Sequence, residues 1–327
     1  MKVLLIYRNR SIGYSIHRVF TVVQAELERH IEVETLELPA KQYNLSGFKQ
    51  NICAVKDAVR KGNYDIVHIT GQDHYLTPFI RKTKVVVTVH DLGFFTNHLK
   101  TLKALMKYFL WVFPIRFADL ITCISDKSQK ECLRWVGGIY KKCVVIYNPY
   151  SPDFKFTPKE LRKIPRILHI GTGSHKNIQN TISALKDFPC HLRIIGKLPQ
   201  KILTNLQRFN IDYSNAHSLT DEEIIQEYMN CDMVNLPSFY EGFGMPIIEA
   251  QASGRPIITS NIAPMSEVGG EAAVYVDPAS PQSILEGYQY AFDHYNTIVE
   301  KGQQNVVRFS AENIAKQYLK AYQTIIQ

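Results

Sequence analysis

Residues 237–261 read PSFYEGFGMPIIEAQASGRPIITSN, and the fold of the chain turns on them. The apolar run Met233–Leu236 just before them has strand length. Gly242 and Gly244 then break the chain in a tight turn, a short helix opens at about Pro246, and Pro256–Thr259 resumes a strand. Proline costs nothing in a first helical turn, where its missing N–H would have no partner, and the two glycines allow a close backbone approach. In open α/β sheets a ligand sits at the carboxyl ends of the strands, and a helix N-terminus offers it free N–H groups and a positive dipole end. Glu241 stands before this helix and Glu249 near the end of its first turn. Carboxylates accept paired hydrogen bonds from vicinal hydroxyls. Two of them bracketing an anion-binding turn point to a diphosphate ligand with a ribose at one end and a sugar at the other. A lone Gly-x-Gly would more often be an ordinary strand–turn–helix junction with surface glutamates; the whole segment favours the ligand site.

Outward from this stretch the same alternation fills the chain. Lys2–Tyr7, Ile31–Leu36, Tyr64–Ile69, Lys84–Val89, Leu120–Ile124 and Cys143–Ile146 have strand character, while Ser15–Arg29, Lys49–Lys61, Thr101–Phe117 and Ser125–Trp135 have helical spacing. Unbroken apolar runs such as VVVTV fit a parallel sheet covered on both faces by crossover helices. The pattern pauses at YNPYSPDFKFTPKELRKIP, residues 147–165, which holds four prolines and predicts a hinge. It resumes with strands at Arg166–Ile170 and His191–Ile195 and helices at Asn177–Leu185 and Pro199–Arg208. Thr220–Asn230 opens with Thr-x-x-Glu, a capping box that satisfies two orphan N–H groups. Ala273–Val276 completes the strands, and Ser310 is placed to cap a closing helix over Ala311–Ile326. The expected fold is α/β with two doubly wound domains. The N-terminal one covers 1–147, a linker follows over 148–163, and the C-terminal one covers 164–310. The helix 311–327 is expected to pack back toward the N-terminal domain.

A chain of 327 residues has room for two domains of ordinary size. With 45% hydrophobic and 21% charged residues it falls outside the disordered and low-complexity classes. Its six cysteines form no C-x-x-C pair and no Cys/His cluster at zinc spacing, so they read as reduced core residues. No apolar run reaches the roughly 18–20 residues needed to span a bilayer. The opening MKVLLIYRNRS lacks a small-residue cleavage site, so no signal peptide is expected and the expected location is the cytoplasm. Residues 1–150 carry 22 Lys and Arg against 12 Asp and Glu, whereas the remainder carries 16 against 18. The whole basic excess therefore lies in the N-terminal half and points to an anionic partner there.

The 237–261 segment resembles the signature of glycosyltransferase family 4, the retaining group 1 glycosyl transferases of GT-B fold. The resemblance rests on Glu241, Gly242, Phe243, Gly244, Met245, Pro246, Glu249, Ala250, Ala252, Gly254 and Pro256. It continues through SEVGGEAAVYVDP at 266–278 and into FSAENIAKQYLKAY at 309–322, and more weakly over nearly the whole chain. It implies two Rossmann-like domains facing across a cleft, with the nucleotide-sugar donor bound mainly by the C-terminal domain and the acceptor by the N-terminal one. It implies that Glu249 binds the ribose hydroxyls and Glu241 the hydroxyls of the transferred sugar. The backbone of Gly242, Phe243, Gly244 and Met245 would lie against the sugar and diphosphate. Lys176, in GTGSHKNIQNTI, resembles the family lysine that neutralises the diphosphate and stabilises the leaving group. The family commonly adds an arginine a few residues earlier; here Thr172 follows Gly171, the loop is about two residues short, and no arginine is present.

His90, at the end of the strand in VVVTVHDLGFF, resembles the family histidine that reaches the donor sugar, whereas Asp91 reads as a cap. Gly13 occupies the place of a glycine loop near donor and acceptor, with one glycine where the family often has two. Loop contacts near Gly196–Lys197 and His217–Leu219 are expected to select the donor's base. No Asp-x-Asp occurs anywhere, so the expected site uses a lysine and a helix dipole in place of a divalent metal, and no metal or other cofactor is expected.

Lys100, Lys103, Lys107 and Arg116 are interleaved with aromatic residues in KTLKALMKYFLWVFPIR. A basic amphipathic helix there could lie on an anionic membrane surface, and a core helix with a lysine-bearing outer face is the equal alternative. No nucleic-acid-binding motif accompanies the charge. The expected activity is a retaining, metal-independent hexosyltransferase, moving a sugar from a nucleotide diphosphate sugar to a saccharide or lipid-linked acceptor hydroxyl. Cell-surface polysaccharide or glycolipid assembly, on the inner face of the membrane, is the expected setting. A GT-B epimerase or phosphorylase, or a degenerate sugar-nucleotide-binding subunit, are the alternatives.

Overall fold

The computed structural model describes residues 1–12, 14–92, 102–137 and 142–327. Gly13 and Lys100 lie outside the described residues, and Lys103 is described in its backbone alone. The chain divides into two compact units, one made of Met1–Pro149 with Ser310–Gln327 and the other of Tyr150–Phe309.

The first unit contains β1 (Lys2–Tyr7), α1 (Tyr14–Leu27), β2 (Glu32–Glu37), α2 (Leu45–Lys61), β3 (Ile66–Ile69), β4 (Lys84–Val89), α3 (Leu102–Lys107), β5 (Leu120–Cys123), α4 (Asp126–Val136) and β6 (Cys143–Val145). Its six strands are parallel in the order β2-β1-β3-β4-β5-β6. β4 follows from its sequence: five consecutive buried residues, four of them valine, suit a strand covered on both faces. α2 begins four residues before the expected Lys49 because Asn44 caps it, its side chain accepting from Gly47 N at 2.8 Å.

The stretch 101–117, expected as one basic amphipathic helix, is instead broken in three. α3 gives way to a π-helical turn at Tyr108–Val112 and a 3-10 turn at Phe113–Phe117. Pro114 has no N–H to continue an α-helix and crowds the turn before it. A second departure concerns the cysteines: five are buried, but Cys53 is exposed on α2.

The second unit contains β7 (Arg166–Ile170), α5 (Ile178–Leu185), β8 (His191–Ile195), α6 (Gln200–Arg208), β9 (Tyr213–Ala216), α7 (Asp221–Asn230), β10 (Met233–Leu236), α8 (Met245–Ser253), β11 (Ile257–Ser260), α9 (Met265–Gly269), β12 (Val274–Val276), α10 (Pro281–Asp293) and α11 (Tyr295–Val306). Its sheet is again six-stranded and parallel, in the order β12-β11-β10-β7-β8-β9. Thr220 and Glu223 form the capping box of α7, with bonds of 3.2 and 2.7 Å. The proline-rich stretch is anchored to this unit from Tyr150 onward. Phe154 is buried, Lys159 Nζ donates to the carbonyls of Asn230 and Cys231 at 2.7 and 3.0 Å, and Arg162 pairs with Asp232 at 2.9 Å.

Beyond Phe309 the chain rejoins the first unit as α12 (Ala311–Ile326), which Ser310 caps by accepting from Asn313 N at 3.3 Å. α12 packs along α1, and its buried tyrosines reach the first sheet. Tyr322 Oη bonds His68 Nδ1 at 2.6 Å, His68 Nε2 bonds Thr88 Oγ1 at 2.8 Å, and Thr88 bonds Thr122 at 2.7 Å. Such a network satisfies each buried polar group it contains. No helix among the described residues is long and apolar enough to cross a membrane.

Candidate functional site

Strand order sets where a ligand can enter. In the second sheet the chain runs outward from β7 through β8 to β9, then returns to place β10 on the other side of β7. β7 and β10 therefore flank the switch point of this sheet, at whose carboxyl ends ligands bind in such sheets. Lys176 follows β7, and Glu241 follows β10. Lys176 Nζ donates to Glu241 Oε1 at 2.7 Å, and Ser238 Oγ donates to the same oxygen at 2.7 Å.

Three features hold that pair in register. Phe239 N donates to His175 O at 2.8 Å, stitching the two loops backbone to backbone. Asn177, buried and in the left-handed region at φ 60°, donates from Nδ2 to Pro237 O at 2.9 Å and to Pro278 O at 2.6 Å. Asparagine tolerates that backbone better than other non-glycine residues. Gly171 has φ 94°, and a Cβ there would meet the Lys176 chain at 3.0–3.3 Å. The lysine's methylenes thus lie directly over a residue that must lack a side chain.

α8 and the turn before it carry the remaining residues expected to hold the donor. Gly244 caps it at φ 102°, with Met245 and Pro246 in the first turn. Phe243 is buried and meets Phe309 edge-on, ring centres 6.0 Å apart. Glu249 is 3% exposed, and its Oε2 accepts from Tyr228 Oη of α7 at 2.7 Å. Glu249 thus has a phenol fixing its carboxylate, a partner the sequence offered no sign of. Gly196 and Lys197 follow β8. Thr172 Oγ1 donates to Lys197 O at 2.6 Å and Asn215 Nδ2 to Gly196 O at 2.8 Å. The short loop without an arginine is therefore tied to the β8 loop through Thr172. Beside it lies a depression of about 620 Å³ lined by Thr172, Ser174, Asn177, Lys201 and Phe239, among others.

In the first unit the switch point lies between β1 and β3. Arg8, just past β1, pairs through Nε with Asp73 beyond β3 at 3.0 Å; Tyr43 Oη donates to the other Asp73 oxygen at 3.0 Å. The Arg8 guanidinium stands 5.3 Å from the Tyr43 ring centre. None of these three carries a local sequence signal; Arg8 and Asp73 meet because the strand order brings β1 and β3 side by side, and Tyr43 joins them from the loop after β2. His90, one residue past β4, is 7% exposed and donates from Nε2 to Thr70 O at 2.8 Å, which makes Nδ1 the ring's acceptor. Burial pushes its pKa down to about 4, with the Thr70 carbonyl opposing and His74 and Arg8 adding to the effect. The imidazole is neutral at pH 7.

Two family models match, "Glycosyltransferase Family 4" over residues 14–154 and "Glycosyl transferases group 1" over residues 164–293. The O-antigen chain mannosyltransferase B of Escherichia coli is 28% identical over 278 residues, covering 75% of this chain and 71% of that protein. The O-antigen chain mannosyltransferase RfbU of Salmonella typhimurium is 26% identical over 240 residues, covering 70% of this chain but only 65% of its own length. Among solved structures, Anabaena Alr3699/HepE in complex with UDP and glucose superposes with a TM-score of 0.77 at 18% identity, over 99% of this chain and all of that one. At that identity the likeness speaks for the fold, which is GT-B.

Proposed function

The chain belongs to glycosyltransferase family 4, the group 1 glycosyl transferases, and from that premise we propose that it transfers a hexose from a nucleotide diphosphate sugar to an acceptor hydroxyl. The observation that carries this reading is the Lys176–Glu241 pair at the β7/β10 switch point, with Ser238 on the same carboxylate. The donor's diphosphate draws the ammonium away from Glu241, and the sugar's hydroxyls donate to the carboxylate in its place. Lys176 then faces the charge that grows on the diphosphate as the glycosidic bond breaks. Glu249 takes the ribose hydroxyls, and the neutral His90 offers its Nδ1 to a hydroxyl of the sugar. Lysine and the N-terminus of α8 do the work of a divalent cation. Neither glutamate is suited to act as a nucleophile: Glu241 accepts from Ser238 and, with donor bound, from the sugar's hydroxyls, and Glu249 is buried beside Tyr228. The acceptor oxygen therefore attacks from the face the diphosphate leaves, a diphosphate oxygen takes its proton, and the anomeric configuration is retained. A glycosyl-enzyme adduct in the intact mass would overturn that course.

The two curated relatives are named as O-antigen mannosyltransferases, which supports mannose as the sugar and a surface polysaccharide as the product. The acceptor falls to the first unit, where Arg8, Asp73 and Tyr43 flank the switch point. The test is a thermal-shift screen against nucleotides and nucleotide sugars without added metal, followed by donor consumption with candidate acceptors. A ligand at 100 times its Kd adds about 2.7 kcal/mol. A selective rise with one donor supports the reading, and no rise with any of them removes it.

A membrane-facing role has its own observation. Leu105, Met106, Phe109 and Phe117 are all exposed, the rings of Phe109, Phe113 and Phe117 follow one another at 5.7 and 5.6 Å, and Lys107 and Arg116 are exposed on the same segment. Apolar side chains rimmed by cations suit the interface of an anionic bilayer. Sedimentation with anionic but not zwitterionic vesicles supports this docking; equal recovery with both, or none, ends it.

A further inference from the structure

Outside everything assigned above, the first unit gathers three thiols from separate elements. The sulfurs of Cys123 on β5, Cys132 on α4 and Cys143 on β6 lie within 4.8 Å of one another, with 3.5 Å between those of Cys123 and Cys143. All are buried, at 0, 0 and 6% exposure. The topology makes the cluster. β5 and β6 are parallel neighbours with Ile121 opposite Cys143, so Cys123, two residues beyond Ile121, projects from the same face as Cys143. α4 connects the two strands and lays its buried stripe of Ser128, Cys132 and Val136 toward the core.

We propose that Cys123, Cys132 and Cys143 form a three-coordinate thiolate site for a soft monovalent metal ion, Cu(I). A metal at about 2.3 Å from three sulfurs in one plane needs them about 4.0 Å apart, a spacing the thiols already approach without a ligand. Thiolates select soft ions, Cu(I) among them. The group contains no His, Asp or Glu among the described residues, so the fourth ligand of a structural zinc site is missing. On binding, three Cu–S bonds form, three S–H protons leave to solvent, and no oxidation state changes. Cys143, on the three-residue edge strand β6, is the most exposed of the three at 6%.

The experiment is an anaerobic titration of the reduced, metal-free full chain against Cu(I) held by a chromophoric chelator. One equivalent is expected to leave the chelator with sulfur-to-copper absorption in the near ultraviolet. X-ray absorption is expected to show three sulfurs at about 2.3 Å. Cys53→Ser, Cys190→Ala and Cys231→Ala should keep that equivalent. Cys132→Val and Cys143→Val, which preserve apolar packing, should weaken it by about 100-fold or more, beyond the loss typical of outer-shell changes. Should a variant misfold, alkylation of the wild-type chain decides instead: Cu(I) must protect the three peptides carrying these cysteines while Cys53 stays reactive. Uptake unchanged in the valine variants, zinc outcompeting Cu(I), or no protection of the trio would each overturn the proposal.

Discussion

Lys176 and Glu241, 65 residues apart, meet at 2.7 Å across the point where the second sheet reverses its strand order. The pair is largely buried, at 18 and 11% side-chain exposure, yet neither partner is bound to it by local sequence. In the proposed reading, donor binding exchanges this contact for contacts to phosphate and sugar, so the two residues are expected to fail in different ways.

Lys176→Ala removes the cation proposed to face the leaving group. Turnover should fall about 10²–10³-fold, the usual loss for one preorganised donor to developing charge, with a smaller change in donor KM. Steady-state kinetics with saturating acceptor reads this directly. Lys176→Arg should not restore turnover, because a planar fork does not follow the same path over Gly171. Undiminished turnover in a folded Lys176→Ala chain would take the lysine out of the mechanism.

Gly171→Ala tests the floor beneath that lysine. At φ 94°, with Lys176 methylenes 3.0–3.3 Å from the new carbon, strain of about 1–2 kcal/mol is expected. A domain of this size loses about 2–4 °C of Tm per kcal/mol. Turnover should drop as well, since the ammonium is displaced. A melt and a rate equal to those of the parent chain would show that the close approach is dispensable.

Tyr228→Phe deletes the phenol that fixes Glu249. One hydrogen bond of about 1–1.5 kcal/mol corresponds to roughly a tenfold rise in donor KM, with kcat little changed. Glu249→Ala should weaken donor binding further. Isothermal titration with the nucleotide alone separates these from effects on the acceptor, and equal affinity in both variants would refute the ribose assignment.

Acid should unfold the first unit through its neutral histidines. Burial lowers the pKa of His68 to about 3 and of His90 to about 4, and it lowers that of His74 as well. In the unfolded chain these groups titrate near about 6.5. Between those values the unfolded state binds protons that the native state does not, so stability is full above about pH 6.5 and declines as pH falls. His68 and His90 each add a slope of about 1.4 kcal/mol per pH unit over that window. Trp111 and Trp135 both lie in the first unit, so urea melts followed by tryptophan fluorescence report on it selectively. Midpoints that hold constant down to about pH 5 would contradict the account.

Much of the architecture was legible because its strands are short apolar blocks. Lys2–Tyr7, Lys84–Val89, Arg166–Ile170, His191–Ile195 and Met233–Leu236 have the same bounds in sequence and structure. β9, YSNA, escaped notice as an edge strand with no fully buried residue and so no apolar run. The sequence reading leaves Val276 to Ala311 without an element, although α10 and α11 fill it. Polar atoms on their core faces, such as the buried tyrosines Tyr288 and Tyr295, blur the periodicity. Ser280 followed by Pro281 was the available signal, since Ser280 caps α10 by accepting from Ser283 N. In the candidate site, Lys176, Glu241 and Glu249 stood out through their motifs. Asn177, Tyr228 and the Arg8–Asp73 pair did not, because each acts through a contact created by strand order.

The return of Ser310–Gln327 to the first unit has a consequence for synthesis. A chain leaving the ribosome exposes residues 150–309 in full before α12 appears, so the second unit can close on its own contacts while the first still lacks a helix. Until Tyr322 arrives, His68 and Thr88 wait without the hydroxyl that completes their network. The first unit's sheet, made before the second unit, is finished by a segment made after it, and chaperones have that interval in which to meet an open sheet.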